Sequence, residues 1–350
     1  MANEPGTAGA GDAGNGGSGG EVWTVRRLLE WTTGHLRSAG SESPRLDAEI
    51  LLAEAMGCPR ISLYTRFSEP ASETVRATFR ELVKRRAQQT PVAYLVGRRE
   101  FFSLDFFVSS AVLIPRPDTE FLVMALLDEV RSRFPEPVVE PSLEPLEKPS
   151  DSTDTGPVAV VKKTNVSRKS VESAVPSFAI LDVGTGSGIL AICAAKYLPK
   201  ATVTAVDLSA DALDVARRNA EKHGVADRIT FMESDLTAAL PAAQRFDFVL
   251  SNPPYVTQLE WESLMPEVRD HEPILALVGG EDGMAVYERL LLEIPLRLNP
   301  GGVCFLETSP MLAPTLESRI DATPGIRRIP TTHDLTRHPR VTGFRTENGE

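Results

Sequence analysis

Cysteine is scarce in this 350-residue chain, with only Cys58, Cys193 and Cys304, each more than a hundred residues from the next. No CxxC pair and no Cys/His cluster is present, which argues against a disulfide framework and a structural zinc site; no metal is expected. The five histidines are equally scattered. Basic residues are outnumbered, 37 against 48, for a formal charge of −11. A general nucleic-acid binder depends on neutralising phosphates with Lys and Arg, so no direct nucleic-acid partner is expected. No apolar run reaches the ~18 residues that a membrane span needs. The first twenty residues lack Lys, Arg and an apolar core, unlike a signal peptide. A cytoplasmic protein with reduced thiols, away from membranes, is the expectation.

What is present is ordinary globular material, 42% hydrophobic and 24% charged, in a length suited to about two domains. Residues 1–20 contain eight glycines and no aromatic, so ordering them would cost more than their burial returns; a disordered tail is predicted. Residues 21–90 read as a small helical bundle. Val22, Val25, Leu28, Leu29 and Trp31 or Thr32 recur at helical spacing, then Leu46, Ile50, Leu51 and Ala55, then a charged run from Ser72 to Gln89. Residues 91–134 hold EFFSLDFFVSSAVLIP, which alternates like a hairpin, followed by a helix over FLVMALLDEVRSRF capped by Asp118 or Thr119. Residues 135–177, rich in Pro, Glu and Ser, read as a linker or insertion. Without the tail and this insertion, each carrying −2, the body remains acidic at −7.

From 178 to 350 strands and helices alternate. FAILDV, ATVTAVD, RITFME, FDFVLS and GVCFLE are nearly continuous apolar runs, mostly separated by amphipathic helices. That texture predicts an α/β fold, a parallel sheet covered on both faces. Two strand-like pieces after Ile326 would close it with an antiparallel edge.

In such a sheet ligands bind at the carboxyl ends of the strands. The first strand ends in Gly184-Thr185-Gly186-Ser187-Gly188, spaced G-x-G-x-G rather than as the dinucleotide fingerprint. Asp207 closes the second strand, placed for a carboxylate to accept from ribose hydroxyls; taken with the glycine loop this reading is preferred, and a cap for the next helix is the plainer alternative. No lysine of the phosphate-loop type follows the glycines. Asp235 and Leu236, after the third strand, are candidates to frame an adenine ring. The fourth strand ends Asn252-Pro253-Pro254-Tyr255. Two prolines stiffen the backbone there. The Asn252 side-chain carbonyl and the Pro253 carbonyl offer two acceptors for a planar amino or amide group, with Tyr255 to pack on its flat face; a turn beside a core aromatic is the plainer alternative.

Asn-Pro-Pro-Tyr beside DVGTGSG resembles the class I S-adenosylmethionine-dependent methyltransferases that act on planar nitrogen. PVAYLVGRREFFSLDFFVSSAVLIPRPDTEFLV and EVRDHEPILALVGGEDGMAVYERL are similar to the release factor glutamine methyltransferases, the HemK/PrmC family. The resemblance spans residues 22–134 and 178–346. It implies a helical N-terminal domain, a connecting hairpin and a seven-stranded Rossmann-like methyltransferase domain. It further implies methylation of the glutamine amide in the Gly-Gly-Gln motif of class I peptide chain release factors, using S-adenosylmethionine. By motif, Gly184 to Gly188, Asp207, Asp235, Leu236 and Asn252 would line the cofactor, while Asn252, Pro253, Pro254 and Tyr255 would hold the substrate. The N-terminal tail and the 135–177 segment are longer than is usual in the family. A monomer is expected. The rival readings are a ribosomal-protein glutamine methyltransferase, a nucleic-acid amino methyltransferase and a non-catalytic nucleoside-binding module. Glu100, Arg116 and Glu120 are read as a domain-junction ion network, with a contribution to the cofactor or substrate rim as the lesser alternative, and His271 as surface structure.

Overall fold

The computed structural model describes residues 22–134 and 177–347, in two compact units dividing at Val92/Ala93. The expected tail over 1–20 and nearly all of the expected insertion over 135–177 lie outside the described residues. No helix among the described residues is long and apolar enough to cross a membrane.

The N-terminal unit contains α1 (Val25–Ser38), α2 (Pro44–Met56), α3 (Ser62–Thr65) and α4 (Glu73–Ala87). Thr24 and Ser72 cap α1 and α4 by accepting from Arg27 and Val75 N–H. In α2 the buried stripe differs from the one read in the sequence. Ala48, Leu51 and Leu52 face the core, whereas Leu46 is exposed. The helix is turned by two buried carboxylates. Asp47 receives Arg86 Nε and Ser41 Oγ, both at 2.7 Å. Glu49 receives Arg45 at 2.6 Å and the Tyr64 hydroxyl at 2.7 Å. A buried carboxylate must be paired, so these partners override simple apolar spacing.

The second unit opens with a short helix, α5 (Val92–Val96), and a hairpin of β1 (Arg98–Phe101) and β2 (Leu104–Phe107). The strands are shorter than the alternating run, which continues as irregular chain to Pro115 with Val108, Val112 and Ile114 buried. Phe102 and Ser103 both take positive φ, the geometry of a type I′ turn, without the usual glycine. Two contacts hold it: Phe102 N–H donates to Glu120 Oε1 at 2.9 Å, and the Tyr197 hydroxyl donates to the Phe102 carbonyl at 3.1 Å. Glu120 therefore braces a turn within this unit, contrary to the ion-network expectation. It begins α6 (Glu120–Arg133), which follows a 3₁₀ turn at Pro117–Thr119.

The remaining elements are β3 (Phe178–Val183), α7 (Ile189–Tyr197), β4 (Ala201–Asp207), α8 (Ala210–Lys222), β5 (Ile229–Glu233), β6 (Phe246–Ser251), α9 (Gln258–Ser263), α10 (Pro266–Arg269), α11 (Ala285–Glu293), β7 (Leu298–Glu307), α12 (Ala313–Asp321), β8 (Ile326–Arg328), β9 (Thr332–His333) and β10 (Pro339–Thr346). Strand order is β5-β4-β3-β6-β7-β10-β8, parallel through β7 and antiparallel beyond, with the two-residue β9 beside β10. This is the Rossmann-like sheet of the resemblance, seven strands plus a short eighth. α11 stops at Glu293 because Pro295 lacks the donor that would continue it.

Neighbouring residues on each strand enter opposite cores. Ile180, Phe248 and Phe305 pack under α6 and α7, and Phe101 and Phe106 of the hairpin join them. Leu181, Val249 and Cys304 pack under α11 and α12. The period-2 alternation on a sheet buried on both faces explains why the strands read as unbroken apolar runs.

One polar residue ties the hairpin to the sheet edge. Asn219, fully buried on α8, accepts from Phe107 N–H at 2.7 Å and donates to the carbonyls of Phe107 and Ser187, each at 2.9 Å. Truncation would strand three backbone groups away from water. Asn219→Ala should therefore destabilise this unit by about 3 kcal/mol, read as a lower denaturant midpoint; an unchanged midpoint would mean that water replaces the side chain.

Candidate active site

Because β3, β4, β5 and β6 are parallel, their carboxyl ends meet at one edge, where a cavity of about 320 Å³ opens. Gly184, Thr185, Gly186 and Ser187 line it from the β3 loop. Asp207, Asp235 and Leu236 line it from the ends of β4 and β5, and Asn252 and Pro254 from the end of β6. Gly188, Pro253 and Tyr255 are not among its lining residues.

The β3 loop is held from below by Asp182, fully buried inside the sheet. Its Oδ2 accepts from the Thr185 hydroxyl at 2.6 Å and from Ala191 N–H, in the first turn of α7, at 3.0 Å. Burial pushes this carboxyl up to about 7, against the pull of those two bonds. Gly188 serves packing. It starts α7 at φ +84°, and a Cβ there would lie 3.1 Å from that of Ala216 on α8. A side chain would push the two helices apart.

Asp207 does not cap α8; Ser209 does, accepting from Ala212 N–H at 3.2 Å. Instead the Asp207 carboxylate accepts Gly186 N–H at 2.8 Å through Oδ2 and Ser209 N–H at 2.9 Å through Oδ1. Leu208 N–H also donates to this carboxylate, and the group lines the cavity. Burial raises its pKa while the backbone donors oppose the shift. Asp235 is exposed and paired with Arg289 at 2.9 Å. Leu236 takes a left-handed φ of +48°, and its side chain packs against the α11 core.

At the end of β6, Ser251 Oγ donates to the Val183 carbonyl at 2.8 Å, tying the two central strand tips together. The following segment is clamped by the glycine run. Val256 N–H donates to Leu277 O and Gly279 N–H returns to Val256 O, both at 2.9 Å. A Cβ on Gly279 would stand 2.4 Å from the Pro254 carbonyl oxygen, so only glycine allows this approach. Asn252 Nδ2 donates to Thr119 Oγ1 at 3.1 Å. Tyr255 is partly buried against the α11 side of the sheet, and burial together with the nearby Glu307 raises its hydroxyl pKa.

Arg116, read as part of a junction network, lines the cavity and pairs with the buried Glu272 at 2.6 Å. Glu272 also accepts Ile114 N–H at 3.1 Å, so the loop after the hairpin is pinned to the segment carrying His271. Glu272, Thr119, Glu307 and Asn219 were missed by sequence reasoning. For Glu272 and Thr119 the EVRDHEP and RPDT runs were the available signal, but nothing in them says which members turn inward. Among the described residues no histidine lines the cavity, and no cluster of three or more His, Cys, Asp or Glu is arranged for a metal.

A parallel sheet with a glycine loop at its first strand and an acidic second strand tip is an architecture of the methyltransferase class, and residues 162–268 match the Methyltransferase small domain. Residues 27–97 match the PrmC N-terminal domain. The release factor glutamine methyltransferase of Rhodopirellula baltica is 44% identical over 319 residues, covering 91% of this chain and 95% of that protein. Its counterpart in Geobacter sulfurreducens is 39% identical, covering 82% and 84%. That of Chlorobaculum tepidum is 40% identical, covering 81% and 85%. The chain belongs to the release factor glutamine methyltransferase family.

Proposed function

We propose that this chain transfers a methyl group from S-adenosylmethionine to the side-chain amide nitrogen of the glutamine in the Gly-Gly-Gln motif of class I peptide chain release factors. The observation that supports it most is Asn252 on the cavity wall with its Nδ2 already taken by Thr119. That leaves Oδ1 to accept from an incoming amide.

The cavity suits the cofactor. Gly184 and Gly186 have open space where a Cβ would be, so ligand atoms can approach the backbone closely. Asp207 presents its carboxylate to the ribose hydroxyls, and Leu236 and Val286 supply an apolar wall for a purine. When bound, S-adenosylmethionine supplies a methyl on a sulfonium, an activated electrophile.

An amide nitrogen is a poor nucleophile because its lone pair is delocalised into the carbonyl. Asn252 Oδ1 and the Pro253 carbonyl accept its two N–H groups and aim the nitrogen at the reacting carbon. Positioning of this kind can contribute at most roughly 7–11 kcal/mol of barrier lowering. Fixed acceptors around the developing positive charge on nitrogen add about 3 kcal/mol each. The surplus proton leaves to water.

The test is incubation with isotopically labelled cofactor and, separately, a release factor, a ribosomal protein and DNA. Label is expected on the release factor and, by peptide mass spectrometry, on the Gly-Gly-Gln glutamine. Label on the ribosomal protein or DNA alone would overturn this reading.

A further inference from the structure

Behind Asn252 stands a pair of side chains that the reaction as described leaves unused. Thr119, 1% exposed in the turn before α6, accepts Asn252 Nδ2 and hydrogen-bonds to Glu307, the buried last residue of β7. One Glu307 oxygen, Oε2, is buried without a hydrogen-bond partner. A hydroxyl has one proton to give. An ionised Glu307 can only accept, so Thr119 must spend its proton on the carboxylate and offers Asn252 nothing but a lone pair. Asn252 must then turn its amino group inward and its carbonyl oxygen away from Thr119.

We infer that Thr119 and Glu307 are positioning residues which, acting in series, dictate which end of the Asn252 amide meets the substrate amide. The inference rests on the reading of Asn252 given above. A reversed Asn252 would set amino group against amino group and leave one of the two substrate N–H groups without its acceptor.

The same arrangement makes the orientation depend on protonation. A protonated Glu307 can donate to Thr119, which frees the threonine proton for Asn252 Oδ1 and reverses the amide. Burial pushes the Glu307 carboxyl up to about 7, opposed by the Thr119 bond. The charged and titratable groups around it are Asp118 and Arg116 before α6, Arg340 on β10, Tyr255 beyond β6 and Tyr287 on α11. Arg340 is engaged with Asp118 at 2.8 Å and Asp334 at 2.9 Å, and Arg116 with Glu272. Tyr287 donates to the Glu307 backbone carbonyl at 2.7 Å rather than to its side chain. Turnover should therefore rise to a plateau as pH increases through about 7, because the ionised form is the competent one.

The experiment measures kcat and KM against pH for the full chain with a release factor and saturating cofactor, for wild type, Thr119→Val, Thr119→Ser, Glu307→Gln and Asn252→Ala. Thr119→Val keeps the shape and deletes the hydroxyl; kcat should fall about ten- to a hundredfold with the cofactor dissociation constant, read by calorimetry, unchanged. Thr119→Ser should retain wild-type turnover. Glu307→Gln cannot ionise, so the acid limb should vanish. Wild-type kcat in Thr119→Val, or an acid limb that persists in Glu307→Gln, overturns the positioning role. If Thr119→Val does not fold, as judged by thermal unfolding, the Glu307→Gln profile decides alone. Asn252→Ala at wild-type rate sinks the underlying reading instead, whereas an impaired Asn252→Ala beside an unimpaired Thr119→Val sinks only the inference drawn here.

Discussion

Asn252→Ala is expected to lower kcat by about 10²- to 10³-fold and to leave cofactor affinity nearly unchanged. The side chain sits on the cavity wall with its amino group engaged by Thr119, so alanine removes an acceptor whose bond strengthens as positive charge develops on the substrate nitrogen. An interaction that is stronger in the transition state than in the ground state appears in kcat, and only weakly in binding. Backbone geometry should survive, because Ser251 and the Val256–Gly279 ladder hold the strand tip without help from Asn252. Steady-state methylation with calorimetry of the cofactor separates the two readouts. Unaltered turnover would remove Asn252 from the chemistry.

Asp207→Ala should act on the opposite partner, weakening cofactor binding by about 10²- to 10³-fold. Charge-assisted hydrogen bonding to the ribose is lost, each bond worth about 1.5–3 kcal/mol before compensation by water. The same carboxylate also tethers Gly186 and Ser209 N–H, so the glycine loop loses its anchor on β4. Saturating cofactor should restore much of the turnover, as it cannot for Asn252→Ala. Asp207→Asn keeps one acceptor and should fall between the two. A wild-type dissociation constant for Asp207→Ala by calorimetry would show that the ribose is held elsewhere.

Much of the architecture was legible locally. FAILDV and FDFVLS coincide with β3 and β6 because a doubly covered strand must be apolar on both faces, and that constraint is written into consecutive residues. The glycine loop and Asn252-Pro253-Pro254-Tyr255 were legible because each directly follows such a strand. Boundaries governed by distant partners were not. The Phe102–Ser103 turn lacks glycine and depends on Glu120 and Tyr197. The α2 stripe is turned by Arg86, 39 residues beyond Asp47. Thr119, expected to cap a helix through its side chain, makes no such bond and points to Asn252.

Composition and spacing alone determined the class of chain: an acidic α/β protein with a glycine turn and an acid at successive strand tips. They also determined a stiff polar segment at the end of the fourth strand of that domain. These follow from short-range rules, the two-residue pleat, the freedom of glycine and the rigidity of proline, which act among neighbours in the chain. Only the tertiary structure decided that Thr119 and Glu307, 188 residues apart, stand in series behind Asn252, and that Asn219 links the hairpin to the glycine loop. Buried polar atoms must find partners wherever the fold places them, and sequence order carries no record of those distances.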